Sequence, residues 1–325
     1  MKKKNKMLKF NFTTLTPLHI SNGEQLGFGL DYIIKNEAAF HKLNFIKLSE
    51  KFASDKLFDF ARPYNLNDII KLIEDKKREI TDEFSFYKVL ITKSFSEHLM
   101  NPKAEGQSYV SEFINSNGRF YIPASSVKGA LLTVLNKSHL GIREMKNQNG
   151  EIVQAANIAD RVVFCDSEFI DQSNFNVFCS NNRPPKTNII CLKKNVSFSL
   201  LMKKTGNLNI SDFRIKLKEY SSQQIEKALK NILPYKSKVE QPKGADIFEL
   251  ALTNINSIVL AEDEYLINIG FGGGSWFKIE KGKVPLFESK KTGRDNPKEP
   301  PHTSVSFNQQ NPMHIGWCKL KIEEL

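Results

Sequence analysis

With 325 residues, 40% of them hydrophobic and 26% charged, the sequence is that of a globular protein with room for one large domain or two of ordinary size. No apolar run approaches the ~18 residues needed to span a bilayer, so a membrane protein is excluded, and polar residues interrupt the stretch behind the Lys-rich start, so a cytoplasmic protein is expected. The 47 Lys and Arg against 36 Asp and Glu leave a net charge of +11, which points to a polyanionic partner, although lysine runs such as Lys193-Lys194 and Lys203-Lys204 also read as solvated faces.

From Met7 to Leu18 the chain reads as a strand, with Leu8, Phe10, Phe12 and Thr14 alternating with polar residues until Pro17 ends it. The turn Thr16-Pro17-Leu18-His19-Ile20-Ser21-Asn22-Gly23 then displays His19 and Ser21 just past a strand end, where ligand contacts gather; a half-buried turn histidine is the alternative. A second run, Asp31 to Lys35, is expected to pair with the first strand. Residues 45–53 and 67–80 carry helical periodicity, and 92–106 reads as a polar loop. Asn117-Gly118 between two apolar-aromatic runs predicts a tight hairpin.

That hairpin delivers Ile122-Pro123-Ala124-Ser125-Ser126-Val127-Lys128-Gly129, in which Ser125 or Ser126 can cap a helix with the stripe Val127, Ala130, Leu131, Val134 and Leu135. Unpartnered N–H groups and the positive end of the dipole make a helix start an anion site. Lys128 in the first turn opposes that dipole, which an anionic ligand would explain, and Gly129 costs roughly 1 kcal/mol relative to alanine, which suggests close packing against it. An ordinary capped helix with an exposed lysine is the alternative. Farther on, 161–167 reads as a buried strand and 189–202 as one or two more. Ser221-Ser222-Gln223-Gln224 has capping-box spacing before a helix carrying Ile225, Ala228, Leu229 and Ile232, and a further helix covers 247–261.

Strand 266–269 then runs into Gly270-Phe271-Gly272-Gly273-Gly274-Ser275-Trp276-Phe277-Lys278, with four glycines in five positions. Such a loop lets backbone N–H groups approach an anion, Trp276 and Phe277 offer π faces to a base, and Lys278 offers charge to a phosphate, which together suit single-stranded nucleic acid. A tight hairpin whose aromatics enter the core is the competing reading. Residues 290–312 form a polar, Pro-rich excursion, and 314–322 close the chain as a strand. The four cysteines have no C-x-x-C spacing and read as buried free thiols. No Asp, Glu, His or Cys cluster has metal-site spacing, and neither G-x-x-x-x-G-K-[ST] nor a dinucleotide fingerprint occurs, so no metal or cofactor is expected.

Alternating strands and helices imply an α+β plan of two ferredoxin-like (RRM-like) units with antiparallel sheets, helices on one face and loop insertions, expected over 1–165 and 166–325. The turn 16–23, Asp31-Tyr32, Ile122 to Leu131, Asp166-Ser167, Ile269 to Gly274 and Gly316-Trp317-Cys318-Lys319-Leu320, in this order, resemble the RAMP superfamily of CRISPR proteins, and within it most the fifth Csm subunits of type III-A effector complexes. The resemblance implies a non-catalytic subunit at the end of the crRNA-bound filament, near the guide's 3′ end, that supports crRNA maturation. Its partners would be crRNA and target RNA, neighbouring Csm subunits and host ribonucleases. It implies an RNA path along Ser125, Ser126, Lys128 and Gly129 and along Gly270, Gly272, Gly273 and Gly274, to which the residue reading adds His19, Ser21, Ser275, Trp276 and Lys278. Glycine is common in the family where Ala124 stands, and arginine where Leu132 stands. The rival readings are an RNA-cleaving member of the same superfamily, with His19 as general base or Asp31 assisting attack, and a nucleotide-binding enzyme.

Overall fold

Leu8, Phe10, Phe12 and Thr14 line one face of the strand Met7–Thr14 in the computed structural model, as their alternation requires. The structure describes residues 7–36, 38–52, 66–92, 95, 109–136, 142–146, 152–157, 162–179, 188–204, 209–238, 245–272, 287–288, 295–296, 304–305 and 313–325. The chain forms two interleaved units, one of Met1–Ile20, Ile122–Glu168 and Lys194–Leu325, the other of Ser21–Tyr121 and Phe169–Lys193. It crosses between them after residues 20, 121, 168 and 193, where the sequence reading placed a single boundary after 165.

The first unit holds an antiparallel five-stranded sheet in the order Val162–Phe164, Ser197–Lys204, Met7–Thr14, Trp317–Glu324, Glu264–Asn268. The first strand was expected to pair with 31–35; it lies instead between Ser197–Lys204 and Trp317–Glu324, with Phe10 opposite Leu200 and Ile322. A strand with one apolar face pairs where that face continues, whatever the distance along the chain. Phe10 meets the rings of Phe164 at 5.2 Å and Phe213 at 6.2 Å, and Phe12 stacks on Phe198 at 5.1 Å. Leu266 and Trp317, which strand alternation turns to the opposite face, pack with Ile225, Ala228, Phe248, Leu252 and Ile255. Helical residues therefore cover parts of both faces.

The capping-box reading at Ser221 does not hold. One helix runs from Ile210 to Lys238, with the Asn209 side chain accepting from the Ser211 N–H at 3.1 Å. Ser221 and Gln224 face the edge strand instead: the Ser221 hydroxyl accepts from the Leu266 N–H at 2.7 Å, and Gln224 donates to the Leu266 carbonyl at 2.8 Å. Both groups of an edge residue that could recruit a foreign strand are thus occupied.

The second unit carries a seven-stranded sheet in the order Ser21–Leu26, Val110–Phe113, Asn188–Leu192, Phe175–Cys179, Ser85–Ile91, Ala39–Leu43, Tyr32–Lys35. It is antiparallel except where Asn188–Leu192 meets Val110–Phe113 and where Phe175–Cys179 meets Ser85–Ile91. Helices Phe45–Lys51 and Leu66–Asp75 contribute Leu48 and Ile73 to a core with Ile33, Leu43, Phe52, Ile80 and Phe84. Tyr32, Phe40, Tyr87, Phe120, Phe175 and Phe113 form a continuous series of ring contacts through this unit. The hairpin is present as expected, with Asn117 and Gly118 both at positive φ.

Inside that aromatic series lies a buried carboxylate. Glu112 accepts from Lys42 at 2.6 Å, the Tyr87 hydroxyl at 2.7 Å and the Asn22 amide at 2.6 Å. Burial opposes its ionisation, but the hydrogen bonds from Lys42, Tyr87 and Asn22 outweigh it and hold the carboxyl below its usual range. Of the cysteines, Cys191 and Cys318 are buried thiols as expected, whereas Cys165 is exposed and the Cys179 side chain lies outside the described residues. Among the described residues no helix is long and apolar enough to cross a membrane.

Candidate nucleic-acid interface

Three distant segments of the first unit meet at the Gly-rich loop. The Trp317 N–H donates to the Thr16 hydroxyl at 3.0 Å, the Gly316 N–H to the Pro17 carbonyl at 2.8 Å, and the Ile269 N–H to the Gly316 carbonyl at 2.8 Å. The Phe271 N–H then donates to the His19 carbonyl at 3.0 Å. Gly270–Gly272 forms a single 3-10 turn on this lattice, with Gly270 at φ +72. A Cβ on Gly270 would run into the His19 carbonyl oxygen, so glycine here serves both φ and close backbone approach. The helix Ala124–Asn136 passes within 8 Å of this turn, Cα to Cα. The structure thus brings together two of the stretches singled out in the sequence. Gly273, Gly274, Ser275, Trp276 and Lys278 lie outside the described residues.

The helix start departs from expectation in one respect. Ser125 and Ser126 lie inside the helix, and its first N–H, that of Ala124, donates to the Asp166 carboxylate at 2.7 Å. Ser167 completes the clamp, accepting from the Ile122 N–H at 2.8 Å and donating its own N–H to the Ile122 carbonyl at 3.0 Å. Asp166 therefore supplies the anion at the dipole's positive end, and the cap comes from across the chain rather than from a local serine. Ser125 is exposed and Lys128 half-buried, and Lys128 has no ion-pair partner among the described residues.

Gly129 is exposed, and a Cβ there would meet nothing within 4 Å among the described residues. The close packing expected against it is absent from the described part of the chain, so nothing there requires this glycine. Gly129→Ala should raise stability by about 1 kcal/mol in denaturant melts, the ordinary helix-propensity gain.

His19 is 1% exposed. Its ring lies edge-on beneath Phe271 at 5.9 Å, so it supports the turn from below rather than being displayed. Ser21 belongs to the second unit, where its hydroxyl is within 3.2 Å of the Ser111 hydroxyl and accepts from the Gly23 N–H at 2.9 Å. Asp31 accepts from the Gly27 N–H at 2.7 Å, a turn cap. Among the described residues no three His, Cys, Asp or Glu side chains could hold a metal. Two participants escaped the sequence reading. Asp166 was invisible as a cap because its partner lies 42 residues away. Phe271 is 45% exposed in an otherwise anchored turn, and its place between two glycines was the available signal.

Behind the turn, the Trp317 indole N–H donates to His314 Nδ1 at 2.9 Å, so the imidazole is neutral with its proton on Nε2. Burial lowers the His314 pKa to about 3. The unfolded chain protonates near 6.5 and the folded one far lower, so this stability is complete above pH 6.5 and is lost as pH falls toward 3. His41 in the second unit, lowered mainly by burial to about 4, acts in the same direction. Unfolding free energy should fall by on the order of 1.4 kcal/mol per pH unit and per histidine below pH 6.5. Denaturant melts at pH 7.5, 6.0 and 5.0 would read this. His314→Asn, which keeps an acceptor for Trp317 but cannot titrate, should remove its share of the slope.

The RAMP superfamily sequence profile matches residues 11–278. The chain belongs to the RAMP superfamily. This RAMP protein is 30% identical over 145 residues to the "CRISPR system Cms protein Csm5" of Streptococcus thermophilus, an alignment covering 42% of the chain and 39% of that relative. Its fold matches a chain from a cryo-EM Csm-crRNA-target RNA ternary complex of a type III-A CRISPR-Cas system, with TM-score 0.61 and 16% identity, over 97% of this chain and 100% of that one. It also matches the crystal structure of T.onnurineus Csm5, with TM-score 0.53 and 14% identity, over 95% and 99%. The RAMP protein is thus α+β with antiparallel-rich sheets, and it shares the fold of Csm proteins.

Proposed function

We propose that the protein is a crRNA-binding, non-catalytic subunit of a cytoplasmic type III-A Csm effector complex, placed near the crRNA 3′ end and supporting crRNA maturation. The observation that carries this reading is the Gly270–Gly272 turn, held by the Phe271 N–H on the His19 carbonyl just after Ile269 bonds to Gly316, with Cα atoms within 8 Å of the helix that bears Ser125, Lys128 and Gly129. The space left at Gly129, where a Cβ would meet no described atom within 4 Å, suits an RNA backbone passing close to that helix. The partial identity with a Csm5 and the full-length likeness to a subunit of an RNA-bound Csm complex support the same assignment, with crRNA, target RNA and other Csm subunits as partners. The burial of His19 beneath Phe271 and the use of Asp31 as a turn cap favour binding over cleavage.

Titration of the full chain with a labelled guide-like RNA at several salt concentrations tests the proposal. Each phosphate neutralised on a single strand contributes roughly −0.7 to the slope of log K against log salt, so the slope should be steep, and a flat one would remove the reading. In the same assay Gly129→Ala should bind RNA more weakly although it melts later. No cleavage is expected with or without divalent metal; cleavage abolished in both His19→Ala and Asp31→Ala would favour the nuclease.

A further inference from the structure

Phe271 is the one large apolar side chain in the Gly270–Gly272 turn, and its ring is 45% exposed. An exposed phenylalanine on a loose loop would mean little. This one sits on a backbone with little freedom: its N–H is bonded to the His19 carbonyl at 3.0 Å, and the residue before it is held at φ +72 with no room for a Cβ. The buried His19 ring meets it edge-on at 5.9 Å and takes up part of its surface. The remaining surface is exposed, on a turn whose Cα atoms come within 8 Å of the helix Ala124–Asn136 that carries Lys128 and Gly129.

We propose that Phe271 is a base-stacking residue: its exposed face receives one unpaired nucleobase of a bound RNA whose backbone runs along the Gly turn and the helix. The inference rests on the RNA-binding reading of this site and adds to it a single contact of a different kind. Phosphate contacts hold an RNA in place without regard to its bases, whereas an aromatic face takes up a base of any identity and fixes its register. A ring that is already oriented by His19 and by a rigid turn loses little freedom on stacking, which is what makes an exposed aromatic useful as a platform. Glycines on either side leave no neighbouring Cβ to hinder a base on that face.

The test is equilibrium binding of the full chain to a fluorescently labelled single-stranded RNA, comparing wild type with Phe271→Ala, Phe271→Leu and Phe271→Trp, with thermal melts to confirm that each folds. Removing a stacked base contact should weaken binding about ten- to one-hundredfold while leaving the salt slope unchanged, because no phosphate contact is lost. Leucine should not restore affinity, and tryptophan should. A scan of 2-aminopurine along the RNA should find one position whose fluorescence is quenched by wild type and by Phe271→Trp but not by Phe271→Ala. Wild-type affinity in Phe271→Ala or Phe271→Leu would overturn the inference. If Lys128→Ala still weakened binding in that case, only the stacking contact would be lost and the RNA-binding reading would stand. If wild type showed no salt-dependent RNA binding, both would fall.

Discussion

Gly270→Ala should destabilise the protein by about 2–4 kcal/mol, whereas the same substitution at Gly129 should stabilise it. At Gly270 two penalties combine. A φ of +72 places an L-residue in the left-handed region, and the added Cβ would overlap the His19 carbonyl oxygen and crowd the Ile20 side chain at 2.9 Å. Relief requires the backbone to move, and the first thing to move is the Phe271 N–H bonded to His19. That bond is part of the lattice tying 16–19, 269–271 and 315–317 together, so the disturbance should reach both terminal strands of the first unit. Denaturant melts of Gly270→Ala and Gly129→Ala measured side by side give the sign of each change. Equal effects would show that the turn yields freely and that its glycine is incidental. In RNA titrations both variants should bind more weakly, Gly270→Ala because the turn is displaced and Gly129→Ala because a methyl group occupies open space.

Glu112→Ala should cost about 3–5 kcal/mol, the scale on which breaking a buried ion pair is felt. The Glu112 side chain is 1% exposed and that of Lys42 18%, so truncation would leave the mostly buried Lys42 ammonium with only the exposed Glu24 carboxylate, 3.7 Å away. The Tyr87 hydroxyl, buried with its ring, would lose its acceptor as well. Glu112→Gln keeps the shape and one acceptor but removes the charge, and should cost about 1–3 kcal/mol. The pH dependence has a definite sign. Because the folded carboxyl is held below its usual range, its contribution is complete above the unfolded value and is lost as pH falls below it. Below pH 4.5 the gap between wild type and Glu112→Gln should therefore close. A gap unchanged between pH 7 and pH 4 would mean that shape rather than charge matters at this position.

Local periodicity carried much of the fold into view. The alternation of Leu8, Phe10 and Phe12, the Asn117-Gly118 turn and the apolar stripe around Val127 and Leu131 are each set by neighbours within a few residues, and each appears where the sequence placed it. The strand Ser21–Leu26 was missed because its polar residues show no alternation; it is mostly exposed and held by pairing with Val110–Phe113. The helix start at Ile210 was missed for a related reason. The serines and glutamines at 221–224 satisfy a capping pattern locally, but in the folded chain Ser221 and Gln224 satisfy the edge strand.

The sequence alone determined that glycines, a lysine and serines suited to a phosphate backbone occur in two stretches, because residue type sets which φ, charge and donor a position can offer. It could not determine that these stretches adjoin, since the helix from Ala124 and the turn at Gly270 are brought near one another only by the fold. Nor could it decide which groups remain available. Asp166 had already taken the Ala124 N–H, and His19 had been buried beneath Phe271, through contacts that join residues 42 and 252 positions apart. Which polar groups are spent on the fold and which are left to a ligand is decided by such long-range pairing, and no local pattern encodes it.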